Sequence, residues 1–159
     1  MILRREAVEA RLKELDEILQ ELGKYRDLPP EKLRRDLSKR WILERGLIAA
    51  ASVIFDVADH ILAGHFGAYS ESYEESPRLL QAKGVISAEL FAEIRGLGGL
   101  RNILIHRYLD IDPREVLAGH SKGMETFPRF AREVLAWLSI LGPDQSAQPP
   151  IDFTPSLAP

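Results

Sequence analysis

One stretch of the chain puts side chains capable of chemistry where packing residues belong. Between Ala88 and Tyr108 the apolar stripe reads Leu90, Ile94, Leu97, Arg101, Leu104, Tyr108, a heptad-like seam with an arginine and a tyrosine in apolar slots. Arg101 cannot shed its proton, so on or beside a packed face it needs an anionic partner, either a carboxylate of the protein or the phosphate of a ligand. At about 100° per residue, Arg101 and Tyr108 fall about 20° apart around one helix axis and line one groove. His106 follows Asn102 by four positions, so these two share a neighbouring face, and His106 lies about 140° from Arg101. Side chains so far apart around one helix do not converge on one atom unless the helix unwinds or a second chain supplies a partner. A homodimer with this helix at its two-fold axis meets that requirement. Gly96, Gly98 and Gly99 point the same way, because glycines at three of four positions cost about 2 to 3 kcal/mol of helix propensity against alanine, which close backbone packing would offset.

The elements that must carry this stretch are helical. Val8, Leu12, Leu15, Leu19 and Leu22 lay one stripe along a first helix that Gly23 ends. Leu28-Pro29-Pro30-Glu31 reads as a turn feeding a second helix that runs to about Gly64, apolar on nearly all sides from Gly46 to Ala63 and therefore central to the core, with a bend expected near Gly46. A Gly- and Ser-rich loop from Gly64 to Pro77 precedes a short helix over Ser76 to Lys83. Ser87 is placed as the N-cap of the helix Ala88 to Tyr108, and Asp112-Pro113 opens another. An interruption is expected around Gly119 to Gly123, before a final helix from Phe127 to Leu141 with Pro128 in its first turn. No segment alternates with a two-residue period, so the fold class is all-α, an antiparallel bundle of four to five helices. Residues 1–141 form the domain. Residues 142–159 carry half of the ten prolines and almost no charge, and are expected to be a disordered tail.

Composition narrows the function classes. The 159 residues include no cysteine, which removes disulfide frameworks, thiolate metal sites and a cysteine nucleophile. A net charge of −3 excludes the broad basic field of a non-specific nucleic-acid binder, so any RNA contact must come from a local patch. No apolar stretch is expected to approach the roughly 18 residues a bilayer span needs, which argues against a membrane anchor, and no secretory signal is visible in MILRREAVEA, so a cytoplasmic location is expected.

The block Arg101-Asn102-Ile103-Leu104-Ile105-His106-Arg107-Tyr108 has the form R-N-x3-H-x-Y, or R-x4-H-x-Y more loosely. It resembles the signature of the HEPN superfamily, and the H-x-Y ending points to its HepT-like branch, the toxin partners of minimal nucleotidyltransferases. Glu44-Arg45-Gly46-Leu47 and Phe55-Asp56-Val57-Ala58-Asp59-His60-Ile61 look like that family's second-helix pattern, and Ser72 to Ser76, Gly84-Val85-Ile86 and Asp110 to Pro113 extend the likeness. The resemblance implies a dimeric helical bundle and a metal-independent endoribonuclease toxin of a type II-like toxin–antitoxin module, with no cofactor. It implies that the 2′-hydroxyl of RNA is the nucleophile. His106 would be the general acid or base, Arg101 would hold the scissile phosphate, and Asn102 would orient the phosphate or His106. Arg107 and Asp56 would be supporting residues. Tyr108 would accept AMP groups from the cognate nucleotidyltransferase antitoxin, which blocks a cleft that both copies of the motif build.

Plainer readings stand beside these. Without the resemblance, Arg101 pairs with an acidic core residue such as Asp56. Asp56 and His60, four residues apart, supply two thirds of a metal site but read more simply as an ion pair or helix contact, and no metal is expected. His65 and His120 read as solvated, Tyr69 and Tyr73 as loop side chains that cap a core edge or stack on bases, and Arg34-Arg35 with Lys39-Arg40 as a solvated helix face. The competing function is a non-catalytic helical substrate- or nucleotide-binding partner of a minimal nucleotidyltransferase, with Arg101 as a phosphate clamp.

Overall fold

A computed structural model describes residues 2–143. The tail expected to be disordered lies outside these residues from 144 onward. Among the described residues the chain is all-helical, as the periodicity requires. Its elements are α1 (Arg5–Gly23), α2 (Pro30–Arg35), α3 (Leu37–Ile61), a π-helical turn (Leu62–Phe66), α4 (Glu75–Ala82), α5 (Ala88–Ile94), α6 (Leu97–His106) and α7 (Pro113–Ile140). The long helices α1, α3 and α7 pack on one another, α2, α4 and α6 close around α3, and α5 packs on α4 and α7.

The α1 stripe is buried as its spacing dictates, with Val8 and Leu15 fully enclosed. It packs on α3, where Leu47, Ala50, Ala51, Ile54, Val57, Ala58 and Ile61 have lost nearly all contact with water. Over Leu37–Phe66 the chain is long and apolar enough to cross a bilayer, which overturns the expectation that no stretch would be. That segment is instead mostly buried inside the bundle, where an all-round apolar helix belongs.

Helix ends follow local chemistry. Ser87 Oγ accepts from the Leu90 N–H at 3.1 Å, and Asp112 Oδ1 from the Arg114 N–H at 2.9 Å. Arg5 donates to the carbonyls of Leu138 and Gly142, so α1 satisfies groups that α7 leaves open at its C-terminus.

The expected second helix is two. Its break falls at Asp36, extended at φ −109° and ψ 93°, whose side chain caps α3 through the Lys39 N–H at 3.1 Å. α3 then runs unbroken through Gly46, where no break occurs. Glycine is needed there for a different reason: a Cβ would lie 2.5 Å from Leu22 Cδ2 of α1. The interruption expected at Gly119 to Gly123 is also absent, because α7 continues from Pro113 to Ile140 and Pro128 lies in its interior. Gly119 lets Leu100 of α6 approach, since a Cβ on it would stand only 2.8 Å from the leucine Cδ2. His120, expected to be solvated, is 3% exposed on that inner face, and its Nε2 lies 2.7 Å from the Leu22 carbonyl. His65, although exposed, packs its ring edge-on against Phe66 and Trp137.

Candidate functional site

The helix expected over Ala88 to Tyr108 is broken in two. α5 stops at Ile94, Gly96 takes φ −88° and ψ 2° as the cap of α6, and α6 ends at His106. Leu90, Ile94, Leu97 and Leu104 keep facing the core on both sides of the break, so the stripe is continuous although the helix is not. Arg101, Asn102 and His106 lie on one unbroken helix, so the offset of about 140° between Arg101 and His106 stands. Tyr108 lies beyond the helix end, and the shared groove expected for Arg101 and Tyr108 does not follow.

Arg101 is half-buried against α3 and the loop before α4. Its Nε donates to Ser52 Oγ at 3.3 Å, and its guanidinium carbon stands 4.5 Å from the centre of the Tyr73 ring. Tyr73 in turn stacks at 4.8 Å on Phe55, which is 1% exposed. Among the described residues no carboxylate reaches ion-pair distance of Arg101. The pairing with Asp56 is therefore absent: Asp56 Oδ2 meets Arg11 of α1 at 3.2 Å instead.

Asn102 is exposed and lines an open cavity of about 400 Å³ with Gly98, Tyr73, Glu74, Ser70 and Asp59. The far wall is fixed by Asp59 Oδ1, which accepts from Ser70 Oγ at 2.8 Å and from the buried Ser76 Oγ at 2.6 Å. His106 is the last residue of α6 and is exposed. Arg107 caps the helix end, its N–H donating to the Ile103 carbonyl at 2.9 Å, while its guanidinium sits 3.8 Å from Asp110 in a solvated pair. Tyr108 is 63% exposed, and its carbonyl accepts from Arg40 Nη2 at 3.0 Å. Arg40 also meets the buried Glu44 at 2.7 Å, so it is a bracket between α3 and the turn after α6 and not the solvated residue expected. The contacts Ser52 to Arg101 and Arg40 to Tyr108 run in opposite senses along the two elements, so α6 lies antiparallel to α3.

Asp56 and His60 do not face one ion. His60 Nε2 accepts from the Arg4 N–H at 3.2 Å, and burial, with the Arg11 cation beside it, lowers the imidazole below its ordinary value. Among the described residues no group of three His, Asp or Glu is placed to hold a metal.

The glycines before Arg101 have separate tasks. A Cβ on Gly98 would come within 3.2 Å of Tyr73 Cβ, whereas at Gly96 and Gly99 it would meet only open space. Sequence reasoning missed Ser52, read Arg40 as solvated, and read Tyr73 as a loop side chain that caps a core edge, as it does over Phe55, or stacks on bases, without linking any of them to the motif. A hydroxyl in an otherwise apolar stretch of α3 and a tyrosine in a Ser-rich loop were the available signals, but nothing in their spacing links them to Arg101.

The described residues form a helical bundle that presents an arginine no carboxylate among them neutralises, an exposed histidine and an exposed tyrosine along one short helix and its exit turn, and that is the class of molecule the geometry defines. The chain belongs to the HepT-like ribonuclease family, whose model matches residues 15–134. It is 28% identical over 134 residues to the tRNA nuclease HepT of Aphanizomenon flos-aquae, covering 84% of this chain and 91% of that protein. Its fold is similar to that of the tri-AMPylated Shewanella oneidensis HEPN toxin, solved in complex with its MNT antitoxin, with a TM-score of 0.75 at 19% identity, covering 84% of this chain and 99% of that one. It is equally similar to the Bacillus subtilis cytosolic protein YutE, with a TM-score of 0.76 at 18% identity over 91% of this chain and 98% of that one.

Proposed function

We propose that this protein is the endoribonuclease toxin of a toxin–antitoxin module, that it cuts RNA without a metal, and that a nucleotidyltransferase antitoxin silences it by placing AMP on Tyr108. The observation that carries this reading is Arg101, held by a hydroxyl and an aromatic ring with no carboxylate among the described residues to neutralise it, on the same helix as His106 in a chain of the HepT-like ribonuclease family. The nuclease and antitoxin-bound toxin that the chain resembles support it further.

In the proposed step the 2′-oxygen of a ribose attacks the adjacent phosphorus as its proton leaves to a base. A 2′,3′-cyclic phosphate forms and the 5′-oxygen departs, taking up a proton. An imidazole can carry the proton in either transfer, and His106 fills that role. Arg101 stabilises the charge that builds on the phosphate oxygens, and Asn102, one residue on, orients the phosphate or His106. Because Arg101 and His106 diverge around α6, the site is completed by the same helix of a second copy across a two-fold axis. Arg107 adds positive charge at the cleft edge. Asp56 supports α3 through Arg11 and takes no part in the chemistry.

The test is incubation of RNA in EDTA with the purified protein, with His106→Ala and with Arg101→Ala, followed by end-group analysis. Cleavage by the wild type with cyclic phosphate ends is expected, and each variant should lose about 100-fold or more. A folded wild type that leaves RNA intact would turn the reading towards a non-catalytic phosphate-binding partner of the nucleotidyltransferase. For Tyr108, incubation with that partner and ATP should add AMP-sized mass increments that Tyr108→Phe abolishes.

A further inference from the structure

We infer that Tyr73 and Ser52 are positioning residues for Arg101, fixing the plane of its guanidinium so that its terminal nitrogens present to an RNA phosphate; this rests on the proposed role of Arg101. A flexible arginine must surrender side-chain freedom to hold a phosphate, and a scaffold that fixes it beforehand removes that cost from the binding step. The usual scaffold is a carboxylate, but a carboxylate would neutralise the charge the phosphate needs. Here both partners are uncharged.

Ser52 Oγ donates its own proton to the Ile48 carbonyl at 2.8 Å, which leaves its lone pairs to receive Arg101 Nε at 3.3 Å. That bond consumes the one guanidinium N–H that points back towards the chain. The guanidinium carbon lies over the Tyr73 ring, 4.5 Å from its centre, and the ring is itself backed by the buried Phe55. Gly98 eases the approach, because a Cβ there would stand 3.2 Å from Tyr73 Cβ, closer than an ordinary contact. The loop carrying Tyr73 is tied down as well: Ser72 Oγ accepts from the Glu75 N–H at 3.2 Å, and Glu75 Oε2 from the Glu71 N–H at 2.7 Å. Among the described residues no hydrogen-bond partner engages the two terminal nitrogens of Arg101, which form the edge suited to a phosphate.

The ring, not the phenol hydroxyl, makes this contact, so Tyr73→Phe and Tyr73→Leu should part company. The experiment measures RNA cleavage kinetics and equilibrium binding of a 2′-O-methyl RNA oligonucleotide, which cannot be cut, for wild type, Tyr73→Phe, Tyr73→Leu, Ser52→Ala, Arg101→Ala and the double variant Tyr73→Leu/Arg101→Ala. Tyr73→Leu should lower kcat/KM and binding about fivefold to thirtyfold, the range of a partly desolvated cation–π contact, while Tyr73→Phe stays within about twofold of wild type. In the Arg101→Ala background Tyr73→Leu should weaken oligonucleotide binding no further, a non-additivity that a merely structural tyrosine would not produce. Ser52→Ala approaches the same guanidinium from the other side and should show the same dependence on Arg101, so the inference stays testable if Tyr73→Leu fails to fold. Wild-type behaviour of both Tyr73→Leu and Ser52→Ala, or losses that multiply with that of Arg101→Ala, would overturn the inference and leave the proposed role of Arg101 intact. Cleavage and binding unaffected by Arg101→Ala would overturn that role, and the inference with it.

Discussion

Arg40 and Tyr108, far apart in sequence, are joined by a hydrogen bond of 3.0 Å from the guanidinium Nη2 to the main-chain carbonyl. The same guanidinium meets Glu44, whose carboxylate is buried in α3, at 2.7 Å. The exit turn of α6 is thereby bolted to the central helix, and the bolt closes only while the Glu44 charge is compensated.

Removing Arg40 should therefore destabilise the fold more than an ordinary surface substitution would. Arg40→Ala leaves a largely buried carboxylate without its cation and is expected to cost about 3 kcal/mol in urea unfolding. Glu44→Gln in that background should recover part of the loss, because the stranded charge is gone. An Arg40→Ala protein as stable as wild type would show that Glu44 finds water or another partner.

Acid should weaken the bundle through His60. Burial first, and then the Arg11 cation, favour its neutral form in the fold, so its folded pKa lies below the unfolded value near 6.5. The unfolded chain then binds the proton more readily than the folded one. The stability this group contributes is fully present above the unfolded value and is lost as pH falls through the folded one. Denaturant unfolding at a series of pH values should show stability falling below about pH 6.5, with a shallower slope in His60→Gln, which keeps an acceptor for the Arg4 N–H but does not titrate. Identical slopes would exclude His60 as a source of the dependence.

Gly46 and Gly99 make a contrasting pair. At Gly46 an added methyl collides with the buried Leu22, and Gly46→Ala should destabilise by about 1 to 3 kcal/mol despite its better helix propensity. At Gly99 the subunit offers open space, and Gly99→Ala should stabilise the isolated chain by up to about 1 kcal/mol. If α6 lies against its own copy across a two-fold axis, as proposed, the same methyl should weaken self-association, seen by sedimentation as a shift towards monomer. An unchanged association equilibrium would place the dimer axis elsewhere.

His120 is the buried partner of the Leu22 carbonyl. The Tyr25 N–H also donates to that carbonyl, at 3.2 Å, so His120→Leu keeps the volume and removes one of two donors, and should lower stability by about 0.5 to 1.5 kcal/mol without affecting cleavage. A loss of activity at full stability would give this histidine a role the geometry does not.

Local signals were legible in the sequence and long-range ones were not. The caps Ser87 and Asp112 act within three residues of themselves, and the α1 stripe needs only its own spacing, so both were readable. The break at Gly96 was hidden because α5 and α6 keep the same buried phase across it. The continuity of α7 was hidden for the opposite reason: Gly119 and Gly123 resemble helix breakers, but they are small residues required on a crowded inner face, where His120 lies between them. The motif residues were found from their type and the family likeness, whereas what holds them was not. Ser52, Tyr73 and Arg101 come from three separate segments, and no periodicity within one segment encodes their meeting.

The antiparallel registry of α6 on α3 also fixes how far a modification on Tyr108 must reach. Arg101, received by Ser52, and Tyr108, whose carbonyl Arg40 holds, are only seven positions apart along α6 and its exit turn, about 10 Å at helical rise. A nucleotide carried on Tyr108, as proposed, is therefore tethered to the same rigid frame as the arginine it would occlude. Its phosphates then compete at the millimolar effective concentration of a short tether rather than at the concentration of free nucleotide. A contact too weak to inhibit in solution suffices once it is attached, so the block depends on the tether's length more than on the strength of the phosphate–arginine contact.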